Sequence, residues 1–336
     1  MSKDIKNVLI TGGTGFLGSH LVKCLLQSNY SPIVLKRSTS DTWRINDILH
    51  KIKSYDLDIV GFDAPFQEQK IDIIIHTACI YGRKNETASS IAEANIMFGL
   101  RLLEFAERYN VDTFFNTDTF YSTQLIPKYK NYCLSKKHFY EWLTISTENI
   151  KIINMKIEHM YGPMDDKMKF IPWLIDQYVL AKEEIMLSDG IQERDFIYVL
   201  DVVYAYLKVI ENIDELKRIS EFNVGTGHPM PIKTFILELD KQYKELNPDN
   251  TVKLAFGKMP LYENEPLSID IDIKALVTLG WKPIYSFQDG IKNLLIYHTY
   301  NLTADKKEHS HQVMDEYGNH IYAHKIEPRV WIEVNR

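Results

Sequence analysis

Short apolar runs alternate with segments of helical periodicity along most of this chain. Val8-Leu9-Ile10 enters a turn, and Leu21-Val22-Lys23-Cys24-Leu25-Leu26 beyond it has the apolar spacing of an amphipathic helix. Ile33-Val34-Leu35 reads as a second strand. Ile71-Asp72-Ile73-Ile74-Ile75-His76-Thr77-Ala78 is nearly continuous in apolar residues, as expected of a parallel strand covered on both faces. Ala94 to Tyr109 carries apolar residues at helical spacing, Thr113 to Thr117 reads as a strand, Asn131 to Thr147 as a helix, and Lys151 to Met155 as another strand. Repeated βα units of this kind build an α/β fold with a doubly wound parallel sheet. The chain shows no internal repeat and no low-complexity segment.

The turn after the first strand is Thr11-Gly12-Gly13-Thr14-Gly15-Phe16-Leu17-Gly18. A strand, a glycine turn and a helix place a dinucleotide pyrophosphate on a helix N-terminus, and a Cβ in the turn would block close approach of the backbone to the phosphates. The expected fold is therefore of Rossmann type, with a smaller C-terminal substrate-binding lobe. Gly12, Thr14, Gly15, Phe16, Leu17 and Gly18 are the expected pyrophosphate-binding residues. The Gly-x-x-Gly-x-x-Gly spacing resembles the extended short-chain dehydrogenase/reductase superfamily. After the second strand the chain reads Lys36-Arg37-Ser38, two cations and no acid. An NAD site usually has a carboxylate there for the ribose hydroxyls, whereas a 2′-phosphate takes charge-assisted bonds of about 1.5–3 kcal/mol each from an arginine. NADPH is the expected cofactor, with NADH disfavoured; the alternative is a solvated basic turn.

Composition narrows the function classes. The chain has 336 residues, 45% of them hydrophobic, enough for a cofactor domain and a smaller lobe. A formal charge of −6 with scattered Lys and Arg argues against a nucleic-acid partner. The three cysteines, Cys24, Cys79 and Cys133, have no metal-ligand spacing and suit a reducing compartment. Met1 to Asn7 is polar, and no apolar run reaches the length of about 18 residues of a membrane span. A cytoplasmic enzyme without membrane contact is expected.

The candidate chemistry lies between residues 117 and 136. Tyr132 and Lys136 form a Tyr-x-x-x-Lys pair, which puts both side chains on one helix face. Tyr178/Lys182 and Tyr204/Lys208 share the spacing but lack a preceding strand-end hydroxyl, and read as ordinary helix positions. Tyr132 follows a strand that ends at Thr117. Acid–base work by a phenol near neutrality calls for a downward pKa shift worth about 3–4 kcal/mol, which a neighbouring ammonium and the nicotinamide ring could supply. The superfamily resemblance implies that Lys136 also holds the nicotinamide ribose and that Thr117 hydrogen-bonds the reacting oxygen. The catalytic expectation is thus Thr117, Tyr132 and Lys136, with Tyr132, Lys136, Thr77 and Ala78 also facing the cofactor.

Further runs extend the resemblance over about residues 7–298: His76-Thr77-Ala78, Asn95, Tyr161-Gly162-Pro163, Arg194 to Val199, Asn223-Val224-Gly225 and Leu279 to Pro283. They point to the branch acting on nucleotide-activated sugars. Asn116-Thr117-Asp118, Ile157 to Pro163, Lys169-Phe170-Ile171-Pro172 and Val224-Gly225-Thr226-Gly227 resemble the CDP-abequose synthase and CDP-paratose synthase group, reductases of CDP-4-keto-3,6-dideoxyglucose. In the similar 4,6-dehydratases the strand-end hydroxyl is followed by Asp-Glu, the glutamate being the C5 base; here Asp118-Thr119 follows, and threonine is too weak a base. The resemblance implies NADPH-dependent reduction at C4 of a nucleotide-linked deoxy-4-ketohexose for surface polysaccharide synthesis. A 4-epimerase or 4,6-dehydratase with tightly held NAD(P) is the alternative.

On the substrate side, Asp118, Thr119, His159, Arg194 and Tyr262 are expected. Asp118 reads equally as a leftover acid, a sugar ligand or an Asx-type turn residue. Arg194 could fork across a diphosphate or pair with Glu193 or Asp195. His159 stands where relatives often carry asparagine, to donate to sugar or phosphate or to sit as a satisfied loop histidine. Tyr262 stands where relatives place an arginine on the phosphates, and the short interval from Thr117 to Tyr132 implies a trimmed loop over the sugar. The expected division is 1–160 with about 196–226 for the cofactor, and about 161–195 with 227–300 for the nucleotide sugar. Residues 301–336 lie outside the resemblance; 314–322 reads as a hairpin arm, and His309, His311, His320 and His324 lack a convincing ligand spacing, so no metal is expected. The resemblance also implies a homodimer through helices near 95–109 and 131–147.

Overall fold

A computed structural model describes residues 5–123, 129–261 and 265–305. Its centre is a seven-stranded sheet made only of parallel pairs. The strands are β1 (Asn7–Thr11), β2 (Ser31–Lys36), β3 (Lys53–Asp56), β4 (Ile73–His76), β5 (Thr113–Thr119), β6 (Lys151–Ile157) and a last one, Ile219–Val224. In space they run Ile219–Val224, β6, β5, β4, β1, β2, β3. The chain builds outward from β1 to β3 and then returns to place β4 on the other side of β1, so the build direction reverses between β1 and β4.

The apolar runs form strands because both sheet faces are covered. Val8, Ile10, Phe115 and Ile153 pack on one side with helices Phe16–Gln27 and Val199–Glu211. Leu9, Ile74, Phe114 and Ile152 pack on the other with Leu102, Leu103, Phe139 and Leu143. Alternate residues of one strand thus belong to two cores, which is why the runs show no polar face. The first core continues into helices Phe170–Val179 and Ile232–Leu246. Three two-stranded ladders accompany those helices, among them His159–Tyr161 beside Phe196–Tyr198.

The periodic stretch expected from Ala94 to Tyr109 starts earlier. Thr87 caps a helix at Ala88–Ala92, accepting from the Ser90 N–H, and this widens into a π-helical turn, Glu93–Met97, before Phe98–Arg108. The helix expected at Asn131 to Thr147 spans Lys130–Ser146. β3 had no sequence expectation: Lys-Ser-Tyr-Asp is short and polar, an edge strand with Tyr55 as its one buried residue. The proposed 314–322 hairpin and the four C-terminal histidines lie outside the described residues.

Candidate active site

The crevice at the carboxyl ends of β1 and β4 is lined by the glycine turn. Gly12 has φ +68°, and a Cβ there would lie 2.7 Å from the Ala78 nitrogen and 2.7 Å from Thr77 Oγ1. A Cβ on Gly18 would lie 2.1 Å from the Gly12 carbonyl oxygen, so the helix start is pressed directly on the turn. The turn closes through the Gly15 N–H on the Gly12 carbonyl at 2.9 Å. Helix Phe16–Gln27 then begins at Gly15 with no side-chain cap and no acid in its first turn. Its leading N–H groups remain available at the positive end of the helix, which fits a diphosphate. Thr77 turns back into the sheet, its hydroxyl donating to the Thr11 carbonyl at 2.7 Å, so its side chain braces β4 against β1.

The two cations after β2 are not alone. Lys36 Nζ lies 3.1 Å from Asp56, and Arg37 Nε lies 2.5 Å from Asp58. Ser38 joins them, its N–H donating to Asp58 and its hydroxyl to Asp56, both at 2.9 Å. The acids arrive with β3 and the turn after it, far enough along the chain that the local run Lys36-Arg37-Ser38 gave no sign of them. The Arg37 side chain stays 66% exposed with only Nε engaged, so the outer edge of its guanidinium still faces outward.

At the end of β5, Lys136 Nζ donates to the Thr117 carbonyl at 2.7 Å and is 1% exposed. Tyr132, one helical turn earlier on Lys130–Ser146, is buried with its ring 4.9 Å from that of Tyr81. The expected pair therefore shares one buried helix face under the strand end. The Thr117 hydroxyl lies 2.7 Å from the Tyr206 hydroxyl of helix Val199–Glu211. The Tyr132 phenol is held well above its ordinary value by burial, then by Tyr81, Cys79 and Asp118. The expected downward shift rests on an ammonium and the nicotinamide ring together, and here the Lys136 ammonium is committed to a backbone carbonyl. The Tyr132 helix is tied to the stretch after β4 by Asn95, whose side chain accepts from the Ile80 N–H and donates to the Ile80 carbonyl and Ser135 Oγ at 2.8–2.9 Å.

The substrate-side residues divide. Asp118 is 3% exposed, and its oxygens accept from the Thr119 N–H, Ser122 Oγ and Asn154 Nδ2, so its carboxylate is spent inside the fold as a turn residue is. Thr119 is buried and accepts from the Tyr121 N–H at 3.4 Å. Arg194 is 2% exposed and pairs with Glu265, neither of the acids weighed from sequence, while its Nη1 donates to the Glu193 and Pro266 carbonyls. A guanidinium so committed is not free to fork across a diphosphate. His159 is half-buried among Phe120, Tyr121 and Phe196, with Nε2 3.0 Å from the Tyr121 hydroxyl. Tyr262 lies outside the described residues. Of the other Tyr-x-x-x-Lys matches, Tyr178 donates to Asp240 and Tyr204 is a core residue.

Sequence reading passed over Tyr206, Tyr81, Glu158 and the acids of β3. Tyr206 sits in an apolar run with no motif around it, and Glu158 lies within the Ile157 to Pro163 run but carried no expected role of its own. Among the described residues no group of three His, Cys, Asp or Glu side chains could hold a metal ion.

A glycine turn at the reversal point of a parallel sheet, followed by a buried Tyr–Lys helix under the end of β5, defines an extended short-chain dehydrogenase/reductase. The model of the NAD dependent epimerase/dehydratase family matches residues 8–225. The CDP-abequose synthase of Salmonella typhimurium is 32% identical over 304 residues, 86% of this chain and 97% of that protein. A putative UDP-glucose 4-epimerase of Methanocaldococcus jannaschii is 27% identical over 313 residues, again 86% and 97%. The solved UDP-N-acetylglucosamine 4-epimerase of Methanobrevibacter ruminantium superimposes with a TM-score of 0.76 at 20% identity, over 89% of this chain and 100% of that one. The chain belongs to the NAD dependent epimerase/dehydratase family and is an NAD(P)-linked enzyme of its nucleotide-sugar-modifying kind.

Proposed function

We propose that this protein reduces the C4 keto group of a nucleotide-activated deoxy-4-ketohexose with NADPH, the nucleotide being CDP and the product a surface-polysaccharide sugar. The observation that carries the reading is the buried Tyr132–Lys136 face against the Thr117 carbonyl, on a chain with no glutamate in the position of the dehydratase base. The bound cofactor would supply hydride. Gly12, Thr14, Gly15, Phe16, Leu17 and Gly18 would line its diphosphate at the uncapped helix start, and Arg37 would meet a 2′-phosphate at its outward edge. Lys136 fixes the strand end and faces the nicotinamide ribose. Tyr132, kept protonated by burial, gives its proton to the oxygen at C4 as the charge develops there. Thr117 accepts from Tyr206 and directs its own hydrogen to the same oxygen. Residues 161–195 and 227–300 form the substrate side.

The test is NADPH oxidation with CDP-4-keto-3,6-dideoxyglucose beside GDP- and dTDP-linked 4-keto-6-deoxy sugars. Stoichiometric oxidation with one of them, abolished in Tyr132→Phe, supports the reductase. A second reading, a 4-epimerase holding NAD, draws on the Lys36–Asp56 and Arg37–Asp58 pairs, which neutralise the turn that a 2′-phosphate would need. Sugar turnover without net cofactor oxidation would select it.

A homodimer through Phe98–Arg108 and Lys130–Ser146 accounts for the exposed Leu134, Trp142 and Ile145. A cytoplasmic location suits the three free thiols. No helix among the described residues is long and apolar enough to cross a membrane.

A further inference from the structure

Glu158 and His159 follow β6 directly and end beside the mouth of the site. Glu158 Oε2 is buried with no hydrogen-bond partner, and so is His159 Nδ1. These two unpartnered atoms face each other at 4.0 Å. That is too long for a hydrogen bond, and one small torsion or one bridging water closes it. The far nitrogen of the same ring, Nε2, lies 3.0 Å from the Tyr121 hydroxyl. Tyr121 follows the end of β5 by two residues, at the same end of the sheet as Thr117.

The protons in this row have one consistent arrangement. Burial and the Asp195 carboxylate push the Glu158 carboxyl up to about 9, so it carries a hydrogen at neutral pH. Burial, Arg194 and Lys169 hold His159 well below its ordinary value, so the ring is neutral. Asp195 accepts from Thr226 and the Gly227 N–H, and Glu158 Oε2 makes no hydrogen bond to it. A carboxylic O–H facing a neutral imidazole donates to Nδ1, which puts the ring hydrogen on Nε2. Nε2–H then donates to the Tyr121 oxygen, which also accepts from the Arg194 guanidinium, and the Tyr121 O–H is left to donate outward. Reversing the Glu158 proton would reverse every bond and turn Tyr121 into a donor toward His159.

Resting on the function proposed above, we infer that Glu158 is a positioning residue. It holds His159 as the Nε2–H tautomer and so presents the Tyr121 O–H as a donor to an oxygen of the nucleotide sugar. The row supplies direction to one hydrogen bond and takes no part in hydride or proton transfer.

The test pairs a spectroscopic readout with binding. Long-range 1H–15N NMR of histidine-labelled protein reads the His159 tautomer, and calorimetry reads CDP-glucose, UDP-glucose and NADPH. We expect Nε2–H in the wild type and in Glu158→Gln, whose amide N–H also donates to Nδ1, and loss of that fixed tautomer in Glu158→Leu. Tyr121→Phe and Glu158→Leu should weaken the bound nucleotide sugar about fivefold or more, with Glu158→Gln within about twofold of the wild type and NADPH binding unchanged. An Nδ1–H tautomer in the wild type, Gln failing as badly as Leu, or unchanged binding in Tyr121→Phe would overturn the inference. If the wild type bound neither nucleotide sugar, the functional reading and the donor role of Tyr121 would both fall, and the tautomer would still decide the Glu158–His159 contact.

Discussion

The Thr117 hydroxyl lies 2.7 Å from the Tyr206 hydroxyl, joining the end of β5 to the helix behind the sheet. Tyr206 is buried and held far above the ordinary phenol range by desolvation, so it keeps its hydrogen. With Tyr206 donating to Thr117, the Thr117 hydrogen is left for the reacting oxygen. Tyr206→Phe should lower kcat about fivefold through loss of about 1 kcal/mol of orientation. Thr117→Ala should lower it about a hundredfold with NADPH affinity unchanged. Steady-state kinetics and cofactor titration check both; a Tyr206→Phe enzyme at full rate would remove Tyr206 from the account.

Cofactor choice turns on the four charges at the ends of β2 and β3. Arg37→Ala should weaken NADPH about tenfold and leave NADH alone, because only the former has a 2′-phosphate to lose. Asp58→Asn should act in the other direction, freeing the whole guanidinium and strengthening NADPH. Fluorescence titration with both cofactors measures this. Equal effects on NADH and NADPH would mean that Arg37 merely supports the turn.

Acid should unfold this protein through two buried histidines. His20 donates toward the Pro163 carbonyl at 3.1 Å and its pKa is lowered to about 4 by burial. His76, bonded to Thr11 at 2.7 Å, is lowered to about 3 by burial and the Lys136 charge. Both folded values lie below the unfolded value of 6.5. Below that pH the unfolded chain takes up protons the folded one refuses, so stability is full above about 6.5 and falls as pH drops toward 4. Each histidine contributes a slope of up to about 1.4 kcal/mol per pH unit. His20→Gln should flatten denaturant-derived stability between about pH 5.5 and 4.5 by that amount; an unchanged slope would place the proton uptake elsewhere.

Self-association is expected to run through Trp142 and Ile145, 50% and 74% exposed on Lys130–Ser146. Trp142→Glu with Ile145→Lys should give a monomer in sedimentation velocity while far-UV dichroism stays as in the wild type. A dimer that survives the double substitution would move the interface to another face.

Much of the fold was legible because a doubly wound sheet writes its strands as apolar runs. Val8 to Ile10, Ile71 to Ala78, Thr113 to Thr117 and Lys151 to Met155 each showed a strand this way, the second of them observed as Ile73–His76, and the glycine spacing and Tyr132/Lys136 placed the candidate chemistry. β3 was missed because an edge strand that buries only Tyr55 has no run to show. Asp56 was missed with it, as was Asp58 just beyond, and the basic turn of Lys36 and Arg37 looked unopposed. Arg194 presented the same difficulty: its partner Glu265 is 71 residues distant, and only the folded chain sets them together. The burial that raises the Tyr132 phenol is not something spacing on a helix reports.

The π-helical turn at Glu93–Met97 holds one residue more than a plain helix would. Asn95 sits within that turn, buried, and grips Ile80 and Ser135 together. Removing Asn95 altogether should leave a well-folded sheet in which the Cys79–Tyr81 stretch and the Tyr132 helix drift independently. A single inserted residue is then the joint that makes two separate elements behave as one wall.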